Sequence, residues 1–201
     1  MDKASEGRRA IVEERTLIER ATRGDARAFN DLMSGQERRM FAVAMRMFGN
    51  REDAEDCLQD AMLRIYRAIS GFKFQSSFST WVYRVTMNTC LDELRKRKTR
   101  PNTSLDGLLD AGWMPADGHD TPEQHALRSE VRASINGFIQ ELPDDMRAAV
   151  VLRDIQGLSY EDIAAALDTN VGTVKSRISR GREKLREKIR ARSELFDRYG
   201  V

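Results

Sequence analysis

The chain has 201 residues, enough for one ordinary domain or two small ones; 40% are hydrophobic, 33% charged and 7% aromatic. Its 34 Lys and Arg offset 32 Asp and Glu to a net charge of +2, and its 13 Gly and 4 Pro are too few for a collagenous or low-complexity chain. The two cysteines, Cys57 and Cys90, cannot staple a small secreted fold, no apolar run approaches the ~20 residues of a membrane span, and Met1 to Arg20 lack a secretory apolar stretch, all of which points to a soluble chain in a reducing compartment.

No segment alternates like a strand, and helical periodicity runs through both ends of the chain. The first module, about residues 10–98, reads as an all-helical bundle. A helix over Gln36 to Phe48 would turn Met40, Phe41, Ala44, Met45 and Phe48 inward. Asn50 is placed to cap a helix from Arg51 to about Ile69, whose Ala54, Cys57, Leu58, Ala61, Met62, Ile65 and Ile69 form one apolar stripe. Residues 71–77 break the pattern as a loop, and a further helix follows from about Ser79 to Lys98. Residues 99–127 hold three of the four prolines and no sustained apolar period, as a linker would; Trp113 and Met114 are the exceptions. The second module, 128–192, begins with a helix over Ser129 to Glu141. Pro143 opens the next helix, which puts Met146, Ala149, Val150 and Leu152 to Ile155 into a small core until Gly157 stops it. Ser159, with Asp162 three residues on, caps a short helix carrying Ile163, Ala164 and Leu167 inward. Asp168 to Asn170 make a turn, and a long helix follows with Val174, Ile178, Leu185 and Ile189 on one side.

The small net charge conceals a strong pattern. Arg95 to Arg100 carry five cations in six residues, and residues 101–130 carry six acids against one base. Residues 171–192 carry nine bases against two acids. Basic clusters neutralise phosphates and release counterions, so two basic stretches around an acidic middle point to nucleic acid. The short helix, tight turn and long basic helix of residues 159–192 have the layout of a helix-turn-helix. Ala164 and Ala165 are small where two helices must cross. Thr173, Lys175, Ser176, Arg177 and Arg180 cluster in the first turns of the second helix, the part that enters a major groove.

Three motifs in order carry a family resemblance. They are Ala54-Glu55-Asp56-Cys57-Leu58-Gln59-Asp60; then Ser77-Phe78-Ser79-Thr80-Trp81-Val82-Tyr83-Arg84 with Asn88 and Leu91-Asp92-Glu93-Leu94-Arg95; then the helix-turn-helix preceded by Leu142-Pro143. From about residue 12 to 192 the chain resembles the extracytoplasmic-function (ECF) sigma factors, small two-domain members of the bacterial sigma-70-like family. The resemblance implies an all-α fold, with a region 2 helical bundle and a region 4 helix-turn-helix joined by a flexible acidic linker. It implies a cytoplasmic, stress-responsive subunit that binds core RNA polymerase and directs promoter-specific initiation. Its partners would be the beta-prime clamp coiled coil, the beta flap, promoter DNA and an anti-sigma factor, with no direct membrane contact. Asp56, Gln59 and Asp60 match the face that binds the clamp coiled coil. Phe72, Lys73, Gln75, Ser76 and Ser77 match the family's loop that captures a flipped base of the minus-ten element. Arg84, Asn88, Arg95 and Lys96 match the helix that tracks the adjoining promoter. Thr173, Lys175, Ser176, Arg177 and Arg180 match the minus-thirty-five reader.

The residues suit these roles. Aromatic rings stack unpaired bases, and Gln and Ser bond their edges, although Phe72, Phe74, Phe78 and Trp81 suit a core equally well. Two positions depart from the family: Asp168 stands where such turns have Gly, and Gly181 interrupts the long helix. His119 and His125 match no zinc spacing, no glycine loop cradles phosphate and no acids form a catalytic pair, so neither a cofactor, a metal nor an enzyme is expected. A stand-alone helix-turn-helix regulator, and a sigma-like decoy that sequesters an anti-sigma protein, are the competing readings. A linker of about 27 residues averages about 30 Å and reaches about 90 Å, enough to let both modules hold one promoter.

Overall fold

The computed structural model describes residues 3–99, 122–193 and 196, all helix and connecting turn. The first half comprises α1 (Lys3–Thr22), α2 (Ala26–Ser34), α3 (Glu37–Phe48), α4 (Arg51–Ala68), a 3-10 turn (Ile69–Gly71) and α5 (Phe78–Thr99). The second comprises α6 (Pro122–Gln140), α7 (Asp144–Val150) running into a π-helical turn (Val151–Ile155), α8 (Tyr160–Ala166) and α9 (Val171–Ala191). Most of the expected linker, with Trp113, Met114 and His119, lies outside the described residues, as does most of the tail after Ser193. The helix expected from Ser129 starts at Pro122, where the missing N–H of proline costs nothing in a first turn.

The caps explain the boundaries. Orphan amides at a helix start need acceptors, and short polar side chains provide them. The Asn50 side chain accepts from Asp53 N at 2.9 Å, Ser159 from Asp162 N at 3.0 Å and Asn170 from Thr173 N at 2.8 Å. Asp25 caps α2 by accepting from Arg27 N and Ala28 N; the Ala28 amide, then Arg20, hold its carboxyl below the usual range. Gly49 closes α3 in the left-handed conformation at φ 79°. Asp168 takes φ 47° in the turn before α9, a conformation that Asp tolerates better than most residues.

One apolar cluster joins Ile18, Phe29, Met33, Met40, Ala61, Ile65, Ile69, Phe72, Phe78 and Val82 at the α1, α2, α4 and α5 end. A larger one spans both halves. Val43, Met47, Cys57, Tyr83, Met87, Cys90 and Leu91 share it with Ile139, Ala148, Leu152, Ile163, Ala164, Val174 and Ile178. The sequence pattern suggests a separate small core for the second half; the structure merges it with the first, and α5 packs on α8 as well as on α3 and α4. Periodicity reveals that a face is apolar and is silent about which face it meets. Ile155 is correspondingly exposed rather than internal, and Ala165 faces solvent while Ala164 and Ala166 are buried. Gly181 accommodates a close crossing: a Cβ there would lie 2.7 Å from Val150 Cγ2.

Candidate nucleic-acid interface

Helix α9 presents two faces. Val174, Ile178 and Gly181 recur at helical spacing and are buried, which turns the basic side outward. Lys175, Ser176 and Arg180 are exposed, and Thr173 and Arg177 are half-buried. The five expected readers therefore occupy the first three turns of one helix, flanked by α8 across the Asp168 turn. Lys175 lies with its ammonium 5.6 Å from the Tyr160 ring of α8. Ser176 Oγ donates to Thr173 O at 2.9 Å, which holds the hydroxyl against the helix. Arg177 donates to Asp145 at 2.7 Å, and Arg182 to Asp154 at 2.5 Å; that carboxylate raises the Arg182 pKa further. Sequence reasoning missed these two acids, because nothing local in α7 or the π-helical turn marks a carboxylate as the partner of a helix some 30 residues downstream.

The loop before α5 divides its aromatic residues. Phe72 and Phe78 are buried, with ring centroids 5.7 Å apart, and Trp81 is half-buried 5.4 Å from Phe72. Lys73, Gln75 and Ser77 are exposed and Ser76 is half-buried. Ser77 is already engaged, since its Oγ caps α5 at Thr80 N (3.0 Å) and bonds the Thr80 hydroxyl. Along α5, Arg84, Arg95 and Lys96 are exposed and Asn88 is half-buried. Helical spacing aligns Arg84, Asn88 and Arg95 on one side, whereas Lys96, about 100° further round, faces the groove against α4. Arg95 and Lys96 reach only loose partners, Asp92 at 3.4 Å and Glu93 at 3.5 Å. Arg97 differs: it donates to both oxygens of Asp53 and stacks 5.1 Å from Phe48. The Arg97 hydrogen bond holds the Asp53 carboxyl below its ordinary range, and Asp53 in turn raises Arg97. Arg97 is thus structural, in keeping with its place at a helix end.

Asp56, Gln59 and Asp60 are exposed on α4. They line a shallow groove of about 260 Å³ between α4 and α5, shared with Arg64, Glu93 and Lys96. Behind it, Cys57 and Cys90 are buried free thiols with sulfurs 3.2 Å apart. The hydrogen bond shared with Cys57, with burial, pushes the Cys90 thiol pKa well up. Among the described residues no cluster of His, Cys, Asp or Glu is arranged to hold a metal ion, and no helix is long and apolar enough to cross a membrane.

Comparison with known proteins places these elements. Residues 32–100 match the model of Sigma-70 region 2, and residues 132–185 that of Sigma-70, region 4. The RNA polymerase sigma-H factor of Pseudomonas aeruginosa is 39% identical over 175 residues, covering 85% of this chain and 91% of that protein. The ECF RNA polymerase sigma-E factors of Haemophilus influenzae and Escherichia coli are 38% and 36% identical over 180 residues, each covering 88% of this chain and 95% and 94% of theirs. Among solved structures, CnrH in complex with the cytosolic domain of CnrY superposes with a TM-score of 0.62 at 26% identity, covering 89% of this chain and 98% of that one. The sigma factor RpoE from Bartonella quintana, solved with the anti-sigma factor NepR, shares the fold with a TM-score of 0.63 at 24% identity, covering 81% and 96%. Two region models in sequence order, relatives matched over nearly their whole length, and a helix-turn-helix with its basic face outward give one answer: the chain belongs to the extracytoplasmic-function sigma factors.

Proposed function

We propose that the exposed face of α9 reads the minus-thirty-five element in a major groove, with Arg177 and Arg180 forking onto guanine edges and Thr173, Lys175 and Ser176 on phosphates or neighbouring bases. The arrangement of α8, the Asp168 turn and α9 carries this reading. The loop of Phe72, Lys73, Gln75, Ser76 and Ser77 takes an unpaired base of the minus-ten element, with Phe72 supporting the loop from beneath. Arg84, Asn88, Arg95 and Lys96 follow the adjoining strand. Asp56, Gln59 and Asp60 dock the beta-prime clamp coiled coil, and their exposure beside a groove supports this. The second module meets the beta flap. Residues 10–98 and 128–192 act as the two modules, with 99–127 between them; the two family matches support the division. The polymerase performs the nucleotide chemistry in the cytoplasm and this chain supplies specificity. An anti-sigma factor holds the chain in check, a reading supported by the Bartonella quintana sigma factor RpoE, which is solved in complex with the anti-sigma factor NepR.

Run-off transcription on a pooled promoter library tests the whole. Core polymerase with this chain is expected to give transcripts that core alone does not. The Arg177→Ala, Arg180→Ala variant is expected to weaken them by at least tenfold, since each bidentate base contact is worth ~1–3 kcal/mol. Tight duplex binding without core and without new transcripts would overturn the assignment in favour of a stand-alone regulator.

A further inference from the structure

Phe74 is the anomaly of the minus-ten loop. It stands at φ 56°, in the left-handed region that a bulky side chain rarely enters, and the residue is 46% exposed. Its aromatic neighbours in the loop are spent in the core: Phe72 is 8% and Phe78 3% exposed. A strained backbone that carries a large apolar ring into solvent gains nothing for the fold, and such strain concentrates where a ligand is held. The ring is nonetheless braced. Phe72 lies behind it, with centroids 5.0 Å apart and planes inclined at 57°. The planar guanidinium of Arg15, from α1, lies 5.6 Å from its centroid. That contact shows the ring accepting a flat partner at its surface, and an exposed cation–π contact is weak enough to exchange for another. On either side stand an exposed cation, Lys73, and an exposed amide, Gln75, suited to a phosphate and to a base edge.

We propose that Phe74 is the stacking platform for the unpaired minus-ten base, and that the base displaces Arg15 from its ring. This rests on the reading that the loop captures a base. It goes further by naming Phe74, rather than the buried Phe72, as the ring that stacks the base, and by assigning the left-handed turn to the presentation of that ring. Stacking on an aromatic ring is sequence-tolerant, so the ring holds the base and Gln75 reads its edge.

The test uses holoenzyme, core polymerase with the full chain, on a promoter selected from the library, with single abasic sites scanned through the non-template minus-ten strand. With the wild-type chain, one abasic position is expected to reduce open-complex formation about tenfold. Phe74→Gly, which suits φ 56°, is expected to reduce the intact promoter about tenfold, to become nearly insensitive to that abasic site, and to melt no lower than wild type. Phe74→Tyr is expected to restore both capture and abasic sensitivity. A Phe74→Gly chain that keeps full activity, or that still loses tenfold at the abasic position, overturns the proposal while leaving base capture by the loop standing. If no abasic position matters to the wild type, capture by the loop fails and the proposal fails with it.

Discussion

Gly181 shows how a residue changes meaning between sequence and structure. Inside a helix, glycine costs about 1 kcal/mol relative to alanine, so Gly181→Ala reads as a stabilising change. In the fold, that methyl would meet Val150 Cγ2 at 2.7 Å, and Val150 is a buried, χ1-stiff valine with little room to yield. Overpacking of this kind costs typically ~1–3 kcal/mol and outweighs the gain in propensity. Gly181→Ala is therefore expected to cost about 1 kcal/mol of stability net, read as a lower urea midpoint, and Val150→Ala added to it should recover part of the loss relative to Val150→Ala alone. The loop aromatics teach the same lesson. Phe72, Phe74 and Phe78 are indistinguishable by type and spacing, yet two are core and one is exposed. The caps Asn50 and Ser159 were legible, because a cap acts within its own turn.

Among the elements, α9 is the clearest case of a helix whose sequence announces its role. Its apolar stripe, N-cap and cation excess are all local. What the stripe packs on, and which acids compete for its cations, are not. Arg177 is held by Asp145 across 32 residues of chain, with its side chain 26% exposed. The pair positions the guanidinium but also occupies it, and the carboxylate sits beside the face expected to approach phosphate. Asp145→Asn is expected to tighten binding of the full chain to duplex DNA several-fold at low salt, with the advantage shrinking as salt rises. Fluorescence anisotropy across a salt series measures it, and unchanged affinity would mean that Arg177 does not approach DNA. The π-helical turn Val151–Ile155 had no sequence signal. It arises where the chain leaves α7, with Gln156 N bonding Val151 O and Leu158 N reaching Leu152 O.

Across the molecule, the two halves share the cap of one helix. The last carbonyls of α3 point towards the second half, where Gln140 Nε2 donates to Arg46 O and Arg147 donates to Met47 O, each at 2.5 Å. Arg147 also donates to Gln140 O and Leu142 O, so one guanidinium satisfies three carbonyls from a site where burial lowers its own pKa. Lys98 of α5 adds a bond to Asp144 of α7 at 2.6 Å. Helix α8 packs on both α5 and α9, so the helices assigned to the two promoter elements lie in one body. Arg147→Met keeps the stem but leaves three carbonyls without their donor. It is expected to cost ~2–4 kcal/mol by urea unfolding and to increase the radius of gyration of the free chain in small-angle scattering. A variant with unchanged stability and radius would show that this cap does not hold the halves together.

By itself the sequence determined the helical class, the main caps, the basic face of α9 and the order of the motifs. These depend on periodicity, short-range hydrogen bonding and charge, which act within a few turns. Only the tertiary structure decided that the apolar faces of both halves meet in one cluster, that Arg147 caps a helix about 100 residues away, and that Gly181 accommodates a crossing. It also decided which loop phenylalanine faces solvent. Burial and close approach are properties of pairs of surfaces, and a single strand of sequence specifies each surface without naming its partner.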